Sequence, residues 1–279
     1  MKVFVPCRHP LGDVLSAYFC PVNYGMPNPK AHLFARLRNA CRAGACTSAF
    51  VVSDFSFWSA LDFRIEMRPA GTFEQPMAEN GWILDQLDGH ANLLRQPPKE
   101  LLRFPSDPAV ELPVRTPVAP VPERYILFSD GAGKEDRWLL DPAIVGWLRS
   151  YLPVVRIGSS GRHWRLPMGA RGATSADLDL CDAAELVEVF WLARHARLIV
   201  SPCTYLRTMS AIFGTPVLEL AQADSVEAST VTRTVREYAG LEYGMRPGTK
   251  NAWCFWNGRP SPEANEQVQR LLATAAAPQ

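Results

Sequence analysis

"RLIVSPCTYLRTMSAIFGTPVLEL", Arg197 to Leu220, holds a strand, a turn, a helix and a second strand in one unbroken stretch. "RLIVS" is a short apolar run of the kind that is buried on both faces of a sheet. Pro202, Cys203 and Thr204 interrupt it, "TYLRTMSAIFG" reads as a helix, and "PVLEL" resumes an apolar strand. A strand followed by a helix and then another strand implies a parallel sheet joined by crossovers. The same alternation extends in both directions. Upstream stand "RYILFS" as a strand and "DPAIVGWLRSYL" as a helix, with Asp141 as N-cap and Pro142 at its first position. "VVRIGS" is the next strand, and "DAAELVEVFWLARHA" is a helix opened by a capping-box-like pair, Asp182 and Glu185. Downstream, "AWCFW" reads as an edge strand and "SPEANEQVQRLLATAAA" as a helix capped by Ser261 with Pro262 first. The second half of the chain is therefore Rossmann-like, with strands covered on both faces by helices.

The first half is α/β but less regular. Val3–Cys7 is a short buried strand and "SAFVVSDF" a second. "PKAHLFARLRNACRAG" is an amphipathic helix opened by Pro29 and closed by Gly44. Its Leu33, Phe34, Leu37 and Cys41 share one face, while Arg36, Arg38, Asn39 and Arg42 lie elsewhere. "DFRIEMR" alternates as a strand with one wet face, and 76–104 reads as helical in part. Between the halves, prolines at 105, 108, 113, 117, 120 and 122 exclude a helix or a central strand, so this stretch is an extended linker. The expected organisation is an N-terminal α/β domain at 1–115 and a C-terminal Rossmann-like domain at 116–279, facing each other across a cleft.

With 29 basic against 28 acidic residues, net charge is +1, which argues against broad electrostatic binding of nucleic acid. Seven scattered cysteines, with no C-x-x-C pair, fit reduced thiols rather than a disulfide framework or a zinc site. The N-terminal apolar run is too short for a signal peptide, and no apolar stretch approaches the ~20 residues that cross a bilayer. The expectation is a cytoplasmic protein.

Several familiar motifs fail. "SDGAGKED" lacks the first glycine and the final Ser/Thr of a P-loop, with Phe128 and Glu135 in their places. "IGSSGR" has the wrong spacing for a nucleophile elbow. No G-x-G-x-x-G follows either candidate first strand, and the five histidines form no i, i+4 pair.

Three stretches survive. In "LGDVLSA", Gly12 permits a tight turn after the first strand, and Asp13 stands at a helix N-terminus, where a carboxylate stays ionised. Asp13 is there either a plain cap or a proton acceptor. In "SDGAGKEDRW", Gly131 and Gly133 allow close backbone approach while Lys134 and Arg137 offer charge to a phosphate, unless the segment is only a solvated turn. In "SPCTYLRTMS", Cys203, Thr204 and Tyr205 lead into a helix whose N–H groups and Thr204 hydroxyl suit an anion, with Arg207 and Thr208 in its first turn. A simple helix cap is the alternative.

In this order, the three stretches resemble the heptosyltransferase-like glycosyltransferases, a family of two Rossmann-like domains (the glycosyltransferase-B fold). The resemblance covers most of 124–220 and the first ~17 residues. It implies a metal-independent, inverting glycosyltransferase with no cofactor. The donor would be a nucleotide-diphosphate sugar, and the acceptor a saccharide or other small hydroxyl compound. It makes Asp13 the general base and Lys134 or Arg137 the donor-phosphate cation. The family's Asp-Ser-Gly turn is here Cys203-Thr204-Tyr205, and Thr208 stands where its histidine falls. Two rival readings follow from the residues. One is a DNA-modifying glycosyltransferase using Arg36, Arg38 and Arg42 on a duplex-binding face. The other is a non-catalytic relative that binds a nucleotide-sugar.

Overall fold

Two parallel sheets organise the chain, each in its own compact unit, Met1–Pro113 and Val114–Gln279. In this computed structural model the described residues are 2–6, 11–23, 26–45, 48–52, 57–58, 65–68, 82–83, 99–108, 112–131, 141–158, 176–202, 204–222 and 250–275.

The first unit begins with β1 (Lys2–Pro6) and α1 (Leu11–Tyr18), then a small antiparallel pair, β2 (Val22–Asn23) and β3 (Met26–Pro27). α2 (Pro29–Arg42), β4 (Ser48–Val52), β5 (Ile65–Arg68), β6 (Trp82–Ile83) and α3 (Lys99–Leu102) follow. The sheet order is β5-β4-β1-β6, with every pairing parallel. Within 76–104, read as helical in part, the described residues hold the strand β6 and the four-residue helix α3. The wet face expected of the β5 strand concerns side chains outside those described.

Asn28 explains why α1 and α2 meet where they do. Its side-chain oxygen accepts from Lys30 N (3.0 Å) and Ala31 N (3.4 Å), capping α2 before Pro29. Its amide donates to Ser16 O (2.7 Å) and Cys20 O (3.1 Å), satisfying carbonyls at the end of α1. Around this junction Tyr18, Phe19, Phe34, Phe57 and Trp58 form a buried aromatic cluster with centroids 5.0 to 5.9 Å apart. Burying each such ring contributes roughly 1.5–3 kcal/mol.

Arg38 departs from the expectation of a wet basic face, for it is buried on α2. Arg36 Nη1 donates to the carbonyls of Leu102 (2.7 Å) and Phe104, Arg38 Nη2 to that of Asp107 (3.2 Å), and Asn39 Nδ2 to that of Pro105 (2.9 Å). A proline-rich segment cannot satisfy its carbonyls in a sheet or helix, so side chains of α2 do so. The start of the linker is thus strapped to the first unit by donors from these two arginines and Asn39.

The second unit contains β7 (Ile126–Ser129), α4 (Pro142–Arg149), β8 (Val154–Ile157), β9 (Leu178–Asp179), α5 (Leu186–His195) and β10 (Leu198–Ser201). A 3₁₀ turn at Tyr205–Thr208 leads into α6 (Met209–Phe213), then β11 (Val217–Gln222), β12 (Asn251–Trp256) and α7 (Pro262–Thr274). All pairings in the six-stranded sheet β12-β11-β10-β7-β8-β9 are parallel. β7, β8 and β10 are buried at every position, whereas β12 at the edge alternates, with Ala252, Cys254 and Trp256 inward. Ala264, Val268 and Leu271, spaced for one helix face, pack α7 into the same core as Cys254 and Trp256.

Most of the expected elements stand here as read. Asp141 caps α4 at Ala143 N (2.9 Å) and Ser261 caps α7 at Ala264 N (3.1 Å), each with proline first. α5 starts later than expected, because its capping pair is Glu185 and Glu188 rather than Asp182 and Glu185. The Glu188 carboxylate accepts from Glu185 N at 2.9 Å, while Asp182 lies in a preceding turn with φ of 58°. The single helix expected after Thr204 is a 3₁₀ turn followed by five α-helical residues. Gly214, at φ 73°, closes α6 in the left-handed region, and its N–H bonds Ser210 O at 3.0 Å.

Candidate functional site

Strand order locates the site of the second unit. β7 is the first strand, β8 and β9 extend the sheet to one side of it, and β10, β11 and β12 extend it to the other. The winding direction reverses between β7 and β10. In open α/β sheets ligands bind outside the strands' carboxyl ends at such a switch point. The residues there are Ser129 at the end of β7 with Asp130 and Gly131 after it, and Ser201 at the end of β10 with Pro202 and 204–208 after it.

The β10 side is built from hydroxyls and a tight turn. Ser201 is buried, and its Oγ lies 3.3 Å from Thr204 Oγ1. Thr204 Oγ1 accepts from Leu206 N at 3.1 Å, so Thr204 is the cap of the 3₁₀ turn. Thr208 is buried and donates its hydroxyl proton to Tyr205 O at 2.6 Å, bracing the turn from within. Burial raises the Tyr205 phenol far above its ordinary value and keeps it neutral. The carbonyl of half-buried Arg207 accepts from Asn251 Nδ2 at 3.3 Å, tying the turn to β12.

The β7–β9 side is built from charges. Arg156, alone among apolar neighbours in β8, has a side chain only 3% exposed. Its Nη2 meets Asp130 Oδ2 at 2.5 Å and its Nη1 meets Asp179 Oδ2 at 2.8 Å. Asp179 Oδ1 accepts from Cys181 N at 3.0 Å. Burial would raise the Asp179 carboxyl, but the Cys181 hydrogen bonds and the Arg156 guanidinium outweigh it and hold the group below its ordinary value. Burial pushes the Cys181 and Cys254 thiols up to about 12, so neither is a ready thiolate.

Asp130, Arg156 and Asp179 were not singled out by sequence reasoning. The available signal was the arginine inside "VVRI": a cation in a strand buried on both faces requires a carboxylate partner. Of the residues that were singled out, Gly131, Thr204, Tyr205, Arg207 and Thr208 come together at the switch point. Gly133, Lys134, Arg137 and Cys203 lie outside the described residues.

Asp13 belongs to the first unit. It is the third residue of α1, which begins at Leu11, so neither a tight turn at Gly12 nor a cap at Asp13 describes the chain there. Asp13 stands in the first helical turn, where the macrodipole favours a carboxylate. The strand before it, β1, lies between β4 and β6 and marks the first sheet's own switch point.

Among the described residues no group of three or more His, Cys, Asp or Glu is placed to hold a metal ion, and no helix is long and apolar enough to cross a membrane. No protein-family model matches the sequence, and no curated protein matches it. Solved structures do. An E. coli ADP-heptose LPS heptosyltransferase II aligns over 98% of this chain and 99% of its own, at 14% identity and a TM-score of 0.52. E. coli heptosyltransferase WaaC with ADP aligns over 99% of both chains, at 13% identity and a TM-score of 0.51. WaaC with ADP-2-deoxy-2-fluoro heptose aligns over 97% of this chain and 99% of its own, at 13% identity and a TM-score of 0.50. At such identities the likeness is one of fold, and at that level the resemblance read from the sequence is borne out along the whole chain.

Proposed function

We propose that the chain is a glycosyltransferase that takes a nucleotide-diphosphate sugar as donor and a hydroxyl compound, a saccharide or other small molecule, as acceptor. The observation that carries this reading is the end-to-end likeness of fold to heptosyltransferases, one of them solved with ADP. The doubly wound second sheet supports it, because its switch point offers hydroxyls and a glycine at the positions where such folds take a nucleotide.

In this reading both units act on one pair of substrates. Asp13 accepts the proton of the acceptor hydroxyl as its oxygen attacks the anomeric carbon. The carbon–oxygen bond to the diphosphate breaks on the opposite side, and the configuration inverts. Negative charge grows on the departing diphosphate. Gly131, Gly133, Cys203, Thr204 and Tyr205 supply its backbone contacts, and Lys134, Arg137 and Arg207 the fixed positive charge, without a metal. Thr208 serves by bracing the turn. A positioned base contributes ~10²–10⁴-fold, so Asp13→Ala should lower turnover by about that factor while donor affinity holds.

Transfer of radiolabelled sugar from a panel of donors to oligosaccharide and small-molecule acceptors tests the proposal. Transfer abolished by Asp13→Ala supports it. Binding of a nucleotide-sugar without transfer or donor hydrolysis would favour a non-catalytic relative instead, a reading helped by the use of the Thr208 hydroxyl inside its own turn.

A further inference from the structure

Of the four carboxylate oxygens in the Asp130–Arg156–Asp179 network, three are engaged. Asp130 Oδ2 and Asp179 Oδ2 hold Arg156, and Asp179 Oδ1 holds Cys181 N. The fourth, Asp130 Oδ1, is fully buried and has no hydrogen-bond partner among the described residues, on a residue only 2% exposed. An unpaired oxygen on a buried carboxylate is costly, and native proteins retain few of them. This one sits at the switch point, in the residue directly before Gly131.

The chemistry that can complete this oxygen is narrow. A phosphate is repelled, because two carboxylates share one guanidinium and leave the cluster with an excess negative charge. A divalent cation needs several oxygen ligands, and the other three oxygens here are taken. A neutral hydrogen-bond donor fits, and in a nucleotide-sugar such donors are chiefly hydroxyls. The β10 side, with Ser201, Thr204 and the 3₁₀ turn, carries no carboxylate in the sequence from Ser201 to Thr208, so the acceptor offered to such a hydroxyl is that of Asp130.

We propose that Asp130 Oδ1 accepts a hydrogen bond from a hydroxyl of the bound nucleotide-sugar, making Asp130 a specificity-determining residue held in place by Arg156. The inference rests on the donor class proposed above and goes beyond it by placing one hydroxyl of that ligand on the buried oxygen that precedes Gly131.

Calorimetric titration of the full chain with ADP-glucose, UDP-glucose and GDP-mannose, each beside its nucleoside diphosphate, tests this. Wild type should bind at least one pair, and Asp130→Asn should weaken it about 10- to 100-fold, the worth of a hydrogen bond to a charged group. Asp179→Asn disturbs the same arginine from its other side and should change affinity by no more than about 3-fold. Weakening of both the diphosphate and the sugar conjugate places the hydroxyl on the nucleoside, and weakening of the conjugate alone places it on the sugar. Either result supports the proposal. Unchanged affinity in Asp130→Asn, or equal losses in the two variants, overturns it by making the network purely structural. Absence of binding to wild type overturns the donor class itself. If Asp130→Asn does not fold, deoxy analogues lacking one hydroxyl at a time, titrated against wild type, give the same answer. A selective loss at one hydroxyl supports the contact, and uniform affinity refutes it.

Discussion

Both units wind their sheets the same way outward from the first strand, yet they spend their buried arginines differently. In the first unit Arg38, beside the more exposed Arg36, serves backbone carbonyls of the chain's own proline-rich segment. In the second, Arg156 serves two carboxylates at the carboxyl end of the sheet, one with an oxygen to spare. The first arrangement ties the chain to itself. The second leaves a carboxylate oxygen unpartnered among the described residues, where doubly wound sheets take their ligands. Basic residues in a sequence therefore do not mark a binding face until their acceptors are known.

The contrast is broken first at Arg156. Arg156→Met strands two carboxylates, one of them buried, and should cost about 3–5 kcal/mol in urea denaturation. A loss below ~1 kcal/mol would mean that the network is not the buried ion pair described. Arg38→Met removes a buried donor to the Asp107 carbonyl and should cost about 1–3 kcal/mol. The same variant, with Arg36→Ala, should leave retention on duplex DNA unchanged between low and moderate salt. Asn28→Ala, which uncaps α2 and frees two carbonyls, should cost about 1–2 kcal/mol, read as a lower melting temperature.

The smallest effect is one of pH. Asp179 has a folded pKa below its ordinary value of 3.8, so its contribution to stability is present above that value and fades as pH falls through the folded one. The stability difference between wild type and Asp179→Asn should accordingly be steady from pH 7 to 5 and narrow below about pH 4. A difference that widens in acid would reverse the sign assigned to this carboxylate.

Periodicity made the second unit legible. Fully apolar strands alternate with helices whose caps, Asp141 and Ser261, precede proline, and each of these local signals agrees with the sheet that forms. The helix after Thr204 was readable as helical but not as a 3₁₀ turn, because the Thr208 hydroxyl bond that tightens it leaves no mark in hydropathy. The first unit was harder to read. Its α2 looks amphipathic with Arg38 outside, yet Arg38 is buried and donates to the distant carbonyl of Asp107. The candidate site divides in the same way. Glycines and hydroxyls in turns announce themselves, as Gly131 and Thr204 did. Asp130 and Asp179 matter through Arg156, a partner on another strand, which a linear reading does not bring to them.

The central claim is that a nucleotide-sugar sits at the switch point of the second sheet. Amide chemical shifts of the full chain, followed while ADP-glucose, UDP-glucose or GDP-mannose is added, test it most directly. The account predicts saturable shifts for at least one of them, centred on Asp130–Gly131 and Ser201–Thr204 and reversed by the matching nucleoside diphosphate. Shifts centred elsewhere in the chain, or none with any donor, would contradict it.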